Sequence, residues 1–343
     1  MEDQLPLASF DPPLGEKYKS LLKNRRGGSS PKSVHEQIIV EERELPLIDL
    51  NKLKLGDKER EECKIEIAKA SEEWGFFQVI NHGISRSLLE EMREEQVKVF
   101  RKPFVEKMND KNLLAGSYRF GTPAATCLTQ VSWSEAFHVP LSHIYDSGGV
   151  TNLSSTMEQY ACPVAELAQQ LTEILTENIG QDSSYIKKMC LPNTCYLRMN
   201  RYPSCPLAQE ITGLMPHTDS DFLTILHQDE IGGLQLVKDG KWVAVKPYEE
   251  ALIINIGDLF QAWSNDVYKS VEHRVVTNKW NERFSMAYFL CPAYDTIIES
   301  CAKQPIYRRF TFRDYREQVQ KDVKVFGRKI GLSRFLNNKE ENI

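Results

Sequence analysis

His217 and Asp219 are separated by one residue, His273 follows after a long interval, and Arg283 and Ser285 repeat the one-residue separation shortly afterwards. Alternate residues of a β-strand project to the same face. His217 and Asp219 can therefore grip one ion from a rigid element, with His273 completing the set. Two imidazoles and one carboxylate on one face of an octahedron leave three positions open, a donor set that suits Fe(II) and oxygen chemistry. Arg283 and Ser285 put a guanidinium fork beside a hydroxyl, a pair suited to holding a small dicarboxylate. 2-Oxoglutarate is the dicarboxylate expected there.

A His-x-Asp triplet alone describes many surface or hydrogen-bonded histidines. The weight here comes from the ordered set, with His273 in SVEHRV, Arg283 and Ser285 in ERFSMAYFL, and strand-like residues around the first pair in HTDSDFLTIL. A structural zinc site fills its four positions with Cys and His, and no Cys-x-x-Cys pair is present. Zinc remains able to occupy the three-ligand site in place of iron. His35, His82, His143 and His227 have no paired spacing and are expected to be core or surface imidazoles; His138 is set apart below.

These side chains need a scaffold. Residues 1–44 mix Gly, Ser, Pro and charge (RRGGSSPKS) without periodicity and are expected to form a mobile leader. Residues 45–191 are expected to form a helical and strand N-terminal portion. Helical spacing runs from about Asp57 to Trp74, over SRSLLEEMREEQVKVFRKP, and from about Thr156 to Gly180, where Pro163 must sit in the first turns or kink the helix. FFQVI reads as a strand, and 109–150 as irregular. Over 192–300 the pattern changes to short strands: TCYLRMNRY, HTDSDFLTIL, GLQLV, KWVAV, ALIINIG, SVEHRVV and RFSMAYFL, with a hairpin turn at Asp239-Gly240. The fold class is thus mainly β with flanking helices: a double-stranded β-helix, or cupin-like jelly roll, behind a helical N-terminal portion. Residues 301–343 close the chain with one helix, about Thr311 to Lys324, and a tail.

Acidic residues exceed basic ones, 48 to 43, and the basic tract is confined to KNRRGG. Nucleic acid and anionic membrane are therefore excluded as expected partners, in favour of a small molecule. No run of eighteen apolar residues and no basic-then-apolar N-terminus occurs. Eight cysteines without framework spacing suit reduced thiols in a cytoplasmic protein.

WGFFQVINHGI, NRYPSCP, HTDSDFLTIL, NIGD and ERFSMAYFL together resemble the motifs of plant 2-oxoglutarate- and Fe(II)-dependent dioxygenases, over nearly the whole chain from LPLIDL onward. The resemblance implies that His217, Asp219 and His273 ligate iron and that Arg283 and Ser285 bind the distal carboxylate of 2-oxoglutarate. It also implies that Asn200 and Tyr202 help to hold that co-substrate. Their same-face spacing agrees with this, since an amide and a phenol supply hydrogen bonds near a metal; the bland alternative is turn and core residues ahead of Pro203. O2 is the further co-substrate, with ascorbate as a supporting reductant. CLTQVSWSEAFHVP and CYLRMNRYPSCP resemble segments of the gibberellin 2-oxidases, particularly those acting on twenty-carbon gibberellins. That implies hydroxylation at carbon 2 and hormone inactivation. Ser204 departs from the family, which more often carries a second proline there.

A gibberellin is a carboxylic acid, whereas the rival substrates, flavonoids and other specialised metabolites, are mostly neutral. Arg198 shares the strand face of Asn200 and Tyr202 and is the candidate partner for a substrate carboxylate; the bland alternative pairs it with an acid such as Glu135. Tyr118, Arg119, Ser134 and His138 lie in segments that the resemblance puts over the chamber mouth. A non-catalytic cupin-like binding protein is the alternative of a different class, against which the intact triad argues. Relatives that oxidise aminocyclopropane carboxylate keep the triad without consuming 2-oxoglutarate.

Overall fold

The computed structural model describes residues 9–23 and 40–337, apart from residues 112, 124, 191–193 and 209. Within it, short segments rich in β-branched and aromatic residues pair into ladders, as such side chains favour. The strands are β1 (Glu42–Arg43), β2 (Leu47–Asp49), β3 (Phe76–Ile80), β4 (Tyr118–Phe120), β5 (Glu135–Pro140), β6 (Tyr196–Tyr202) and β7 (Thr212–His217). They continue with β8 (Leu223–Gln228), β9 (Leu234–Lys238), β10 (Lys241–Val245), β11 (Leu252–Ile256), β12 (His273–Val276) and β13 (Arg283–Leu290). Of the two large sheets, one has the order β1-β10-β9-β12-β7 and the other β2-β3-β11-β8-β13-β6-β5-β4, and Ile297–Ile298 pairs with Phe310–Thr311 in a third, two-stranded sheet. Residues of both large sheets line one chamber between them, the double-stranded β-helix expected from the strand spacing.

The hairpin between β9 and β10 turns at Asp239 (φ 51°) and Gly240 (φ 73°) with Lys238 opposite Lys241. Two successive positive φ values are what a two-residue turn between twisted strands needs. On the outer face of the larger sheet, helices Asp57–Glu73, Arg86–Phe100 and Asn152–Asn178 pack together, the last also against β8 and β13. Gly75 follows the first at φ 64°, where a Cβ would lie 2.2 Å from the Lys269 carbonyl oxygen. Ser85 caps the second by accepting from the Leu88 N–H at 3.2 Å. The third begins one turn earlier than its apolar spacing indicated, because Thr151 and Ser154 form a capping box. Pro163 therefore lies inside the helix rather than in its first turns.

Three expectations need correction. The leader is expected to be mobile, yet residues 14–17 and 19–23 are helical and bury Leu14 and Tyr18 against Val131, Cys205 and Ile211. The Tyr18 hydroxyl donates to the Ser132 carbonyl at 3.1 Å. Residues 1–8 and 24–39 of the leader, and the 191/192 boundary, lie outside the described residues. Residues 109–150, expected to be irregular, contain β4, β5 and a helix at Leu141–Asp146, because β5 completes the edge of β6. HTDSDFLTIL is not one strand: β7 ends at His217, β8 starts at Leu223, and Asp219 lies in the loop between them. Among the described residues no helix is long and apolar enough to cross a membrane, and all eight cysteines are free thiols.

Candidate active site

His217 ends β7, His273 starts β12, and the two are direct partners in the ladder. Their rings lie 4.3 Å apart at 52°. Asp219 Oδ1 is 3.6 Å from His217 Nε2 and 3.7 Å from His273 Nε2. These donor atoms all fall within 4.8 Å of one another, the one such cluster among the described residues.

The neighbours leave the right atoms free. His217 Nδ1 meets the Met215 carbonyl at 2.8 Å and His273 Nδ1 the Val271 carbonyl at 3.0 Å. A carbonyl only accepts, so each Nδ1 carries the proton and each Nε2 offers its lone pair inward. Burial first, then the neighbouring His273, pushes the His217 pKa down to about 3, which keeps that ring neutral and able to coordinate. Asp219 Oδ2 accepts from Thr224 Oγ1 at 2.7 Å and Asn255 Nδ2 at 2.8 Å, and Oδ1 is left for an ion. Burial works to raise the Asp219 pKa, but the two imidazoles and these hydrogen bonds outweigh it and hold it down to about 2. Thr224 and Asn255 escaped attention in the sequence, although both lie in quoted motifs; a polar residue at an inward position of an apolar strand is the signal they carried.

One wall of the chamber comes from β6 and β13, whose register sets Arg283 opposite Tyr202, Ser285 opposite Asn200 and Ala287 opposite Arg198. All six line a chamber of about 380 Å3 together with the triad. Arg283 is 2% exposed. It donates to Gln228 Oε1 at 2.7 Å and to Ser285 Oγ at 3.2 Å, and its Nε has no partner. No carboxylate forms an ion pair with it among the described residues. A buried guanidinium without a counter-ion is costly, and an incoming carboxylate would supply one. The donor set and this cation together fit Fe(II) and 2-oxoglutarate. Gln228, which orients the guanidinium, was not foreseen.

Arg198 also lines the chamber, half-buried, with its Nε donating to Asn200 Oδ1 at 2.8 Å. Glu135, its alternative partner, is taken by Lys107 and Arg201, each at 2.6 Å. The other four residues expected over the mouth do not line the chamber. Tyr118 is buried and gives its hydroxyl to Glu135. Arg119 is exposed and donates to the carbonyls of Tyr118 and Gly116 at 2.6 and 3.2 Å. Ser134 is buried just before β5, and its carbonyl accepts from Gly121 N–H at 2.8 Å. His138 sits opposite Arg198 in the β5–β6 register and stacks at 3.8 Å on Tyr196, so the Tyr196 ring, not His138, reaches the chamber.

Residues 193–292 match the 2OG-Fe(II) oxygenase superfamily, and residues 45–148 match the N-terminal region of the non-haem dioxygenases in morphine synthesis. The chain belongs to the 2OG-Fe(II) oxygenase superfamily and is an Fe(II)- and 2-oxoglutarate-dependent dioxygenase. It is 59% identical to gibberellin 2-beta-dioxygenase 8 of Arabidopsis thaliana, over 96% of this chain and 99% of that one. Identity to gibberellin 2-beta-dioxygenase 6 of Oryza sativa subsp. japonica is 47%, over 96% and 97%. The crystal structure of JOX2 in complex with 2OG, Fe and JA superposes with a TM-score of 0.73 at 27% identity, covering 97% of this chain and 99% of that one.

Proposed function

We propose that this enzyme hydroxylates a gibberellin at carbon 2, inactivating the hormone, with the twenty-carbon gibberellins as its preferred class. The observation that carries the activity is the 59% identity, over nearly the full length of both chains, to a gibberellin 2-beta-dioxygenase. Segments 127–140 and 195–206 support the finer preference.

Fe(II), with 2-oxoglutarate and O2, supplies a two-electron oxidation that puts one oxygen atom into an aliphatic C–H bond, the other going to succinate as carbon dioxide is lost. His217, Asp219 and His273 hold the metal through Nε2, Oδ1 and Nε2. Arg283 and Ser285 take the distal carboxylate of 2-oxoglutarate, and Asn200 and Tyr202 direct hydrogen bonds to the same molecule. Arg198 takes a gibberellin carboxylate, which presents carbon 2 to the metal. Leu214, Leu226, Val275 and Phe289 give the chamber an apolar lining that matches the hydrocarbon skeleton and keeps water out. The free thiols suit a cytoplasmic location.

Incubation with Fe(II), 2-oxoglutarate and ascorbate tests this, with twenty-carbon gibberellins, nineteen-carbon gibberellins and flavonoids offered in parallel. The expected product is a 2-hydroxylated gibberellin, formed fastest from the twenty-carbon acids. Hydroxylation of a flavonoid with no gibberellin product would assign the alternative substrate.

A further inference from the structure

The NIGD segment ends in a turn that faces the metal-binding loop. Gly257 N–H donates to the Phe222 carbonyl, Asp258 N–H to that of Asp219 and Leu259 N–H to that of Asp221, each at 3.0 Å. The amides of Asp258 and Leu259 open helix Asp258–Trp263 and have no partner within it; the carbonyls of the loop take that place. A Cβ at Gly257 would lie 2.1 Å from Asp221 Oδ1 and 2.2 Å from the Asp221 carbonyl oxygen, so only glycine permits this approach.

The Asp258 carboxylate, 3% exposed, gathers three donors at Oδ2. Thr218 Oγ1 lies at 3.1 Å, Lys329 Nζ at 2.6 Å, and the Tyr315 hydroxyl completes the set. Lys329 Nζ also donates to the Thr218 carbonyl and to Ser220 Oγ, both at 2.8 Å. Its three protons are thus spent on Asp258 and on the two residues that flank Asp219. Tyr315 and Lys329 both come from the C-terminal segment. Gly327 ends helix Phe312–Phe326 in the left-handed region at φ 68° and turns the chain back toward the loop.

We propose that Asp258, Tyr315 and Lys329 are positioning residues, a latch through which the C-terminal segment holds Asp219 in register with His217 and His273 and so sets metal affinity. The proposal rests on the triad being the metal site. Ladder pairing fixes His217 against His273, but Asp219 lies on a loop and has no ladder. Its carbonyl and both its neighbours are bound instead by the latch. Without Lys329 the Asp258 carboxylate would stay buried without a counter-charge, and the loop would have to be ordered by the metal at the expense of binding.

The test uses the full chain, freed of metal and titrated calorimetrically with Co(II), alongside amide exchange of residues 217–222 in the metal-free protein and thermal unfolding. Lys329→Met should weaken Co(II) binding about 10- to 100-fold, the range typical of such outer partners, and speed exchange in the loop. Lys329→Arg should restore most of the affinity. Tyr315→Phe, which deletes a single hydroxyl, should lose affinity in the same direction and stands in if Lys329→Met does not fold. Wild-type Co(II) affinity in both Lys329→Met and Tyr315→Phe, whatever their melting temperatures, overturns the latch alone. A wild-type chain that binds Co(II) no better than His217→Ala would remove the triad reading and the latch with it.

Discussion

Arg283 lies opposite Tyr202 across the β6–β13 ladder, its guanidinium carbon 4.9 Å from the centre of the phenol ring. The cation is thereby stacked on an aromatic face, braced by Gln228, and held with one N–H unpartnered. Arg283→Lys keeps the charge but loses the fork. We expect it to raise the apparent KM for 2-oxoglutarate far more than that for the gibberellin. Arg283→Ala should weaken 2-oxoglutarate binding by about 2 to 5 kcal/mol. Steady-state kinetics in each substrate checks this, and an equal rise in both KM values would contradict it.

Arg198 faces the chamber without a carboxylate partner among the described residues. Arg198→Met is expected to weaken gibberellin binding at least about tenfold, roughly 1.4 kcal/mol. Decarboxylation of 2-oxoglutarate uncoupled from hydroxylation should persist. Loss of metal binding in this variant would instead make Arg198 a structural residue.

How far the sequence foretold the site follows from the range of the contacts. Arg198, Asn200 and Tyr202, and Arg283 and Ser285, obey the strand period, so local spacing foretold their shared face. Asp219 obeyed the same spacing from a loop, because the distant Gly257–Asp258 turn, not a strand, holds it. The register of β5 beside β6 joins residues about 60 apart in the chain, beyond the reach of periodicity. Tyr118, which the resemblance puts over the chamber mouth, gives its hydroxyl to Glu135 in an internal ion cluster with Lys107 and Arg201, whose members lie far apart in sequence.

That cluster makes a stability prediction. Lys107 and Glu135 have fully buried side chains and lie 2.6 Å apart, with Arg201 on the other carboxylate oxygen. Glu135→Ala leaves Lys107 buried without a counter-charge, while Arg201 keeps Asp11 and Glu282, which should cost about 3 to 5 kcal/mol in denaturant unfolding. A loss below about 1 kcal/mol would show that solvent compensates Lys107.

Acid sensitivity follows from His227. Burial, then the charges of His82 and Arg93, pushes its pKa down from 6.5 to about 4. The unfolded chain protonates this ring below about 6.5 while the folded one stays neutral. Its contribution to stability is therefore complete above pH 6.5 and is lost as pH falls toward 4, with a slope of at most about 1.4 kcal/mol per pH unit. Denaturation midpoints between pH 7 and 5 should fall less steeply in His227→Gln than in the wild type; parallel curves would refute the assignment.

The most direct measurement of the central claim is a turnover in 18O2 with Fe(II), 2-oxoglutarate and a twenty-carbon gibberellin, analysed by mass spectrometry. The account predicts one labelled oxygen at carbon 2 of the gibberellin and one in succinate, formed in equal amounts, and neither product in His217→Ala. Unconsumed gibberellin in the complete wild-type mixture, or a carbon-2 hydroxyl without label, would contradict it.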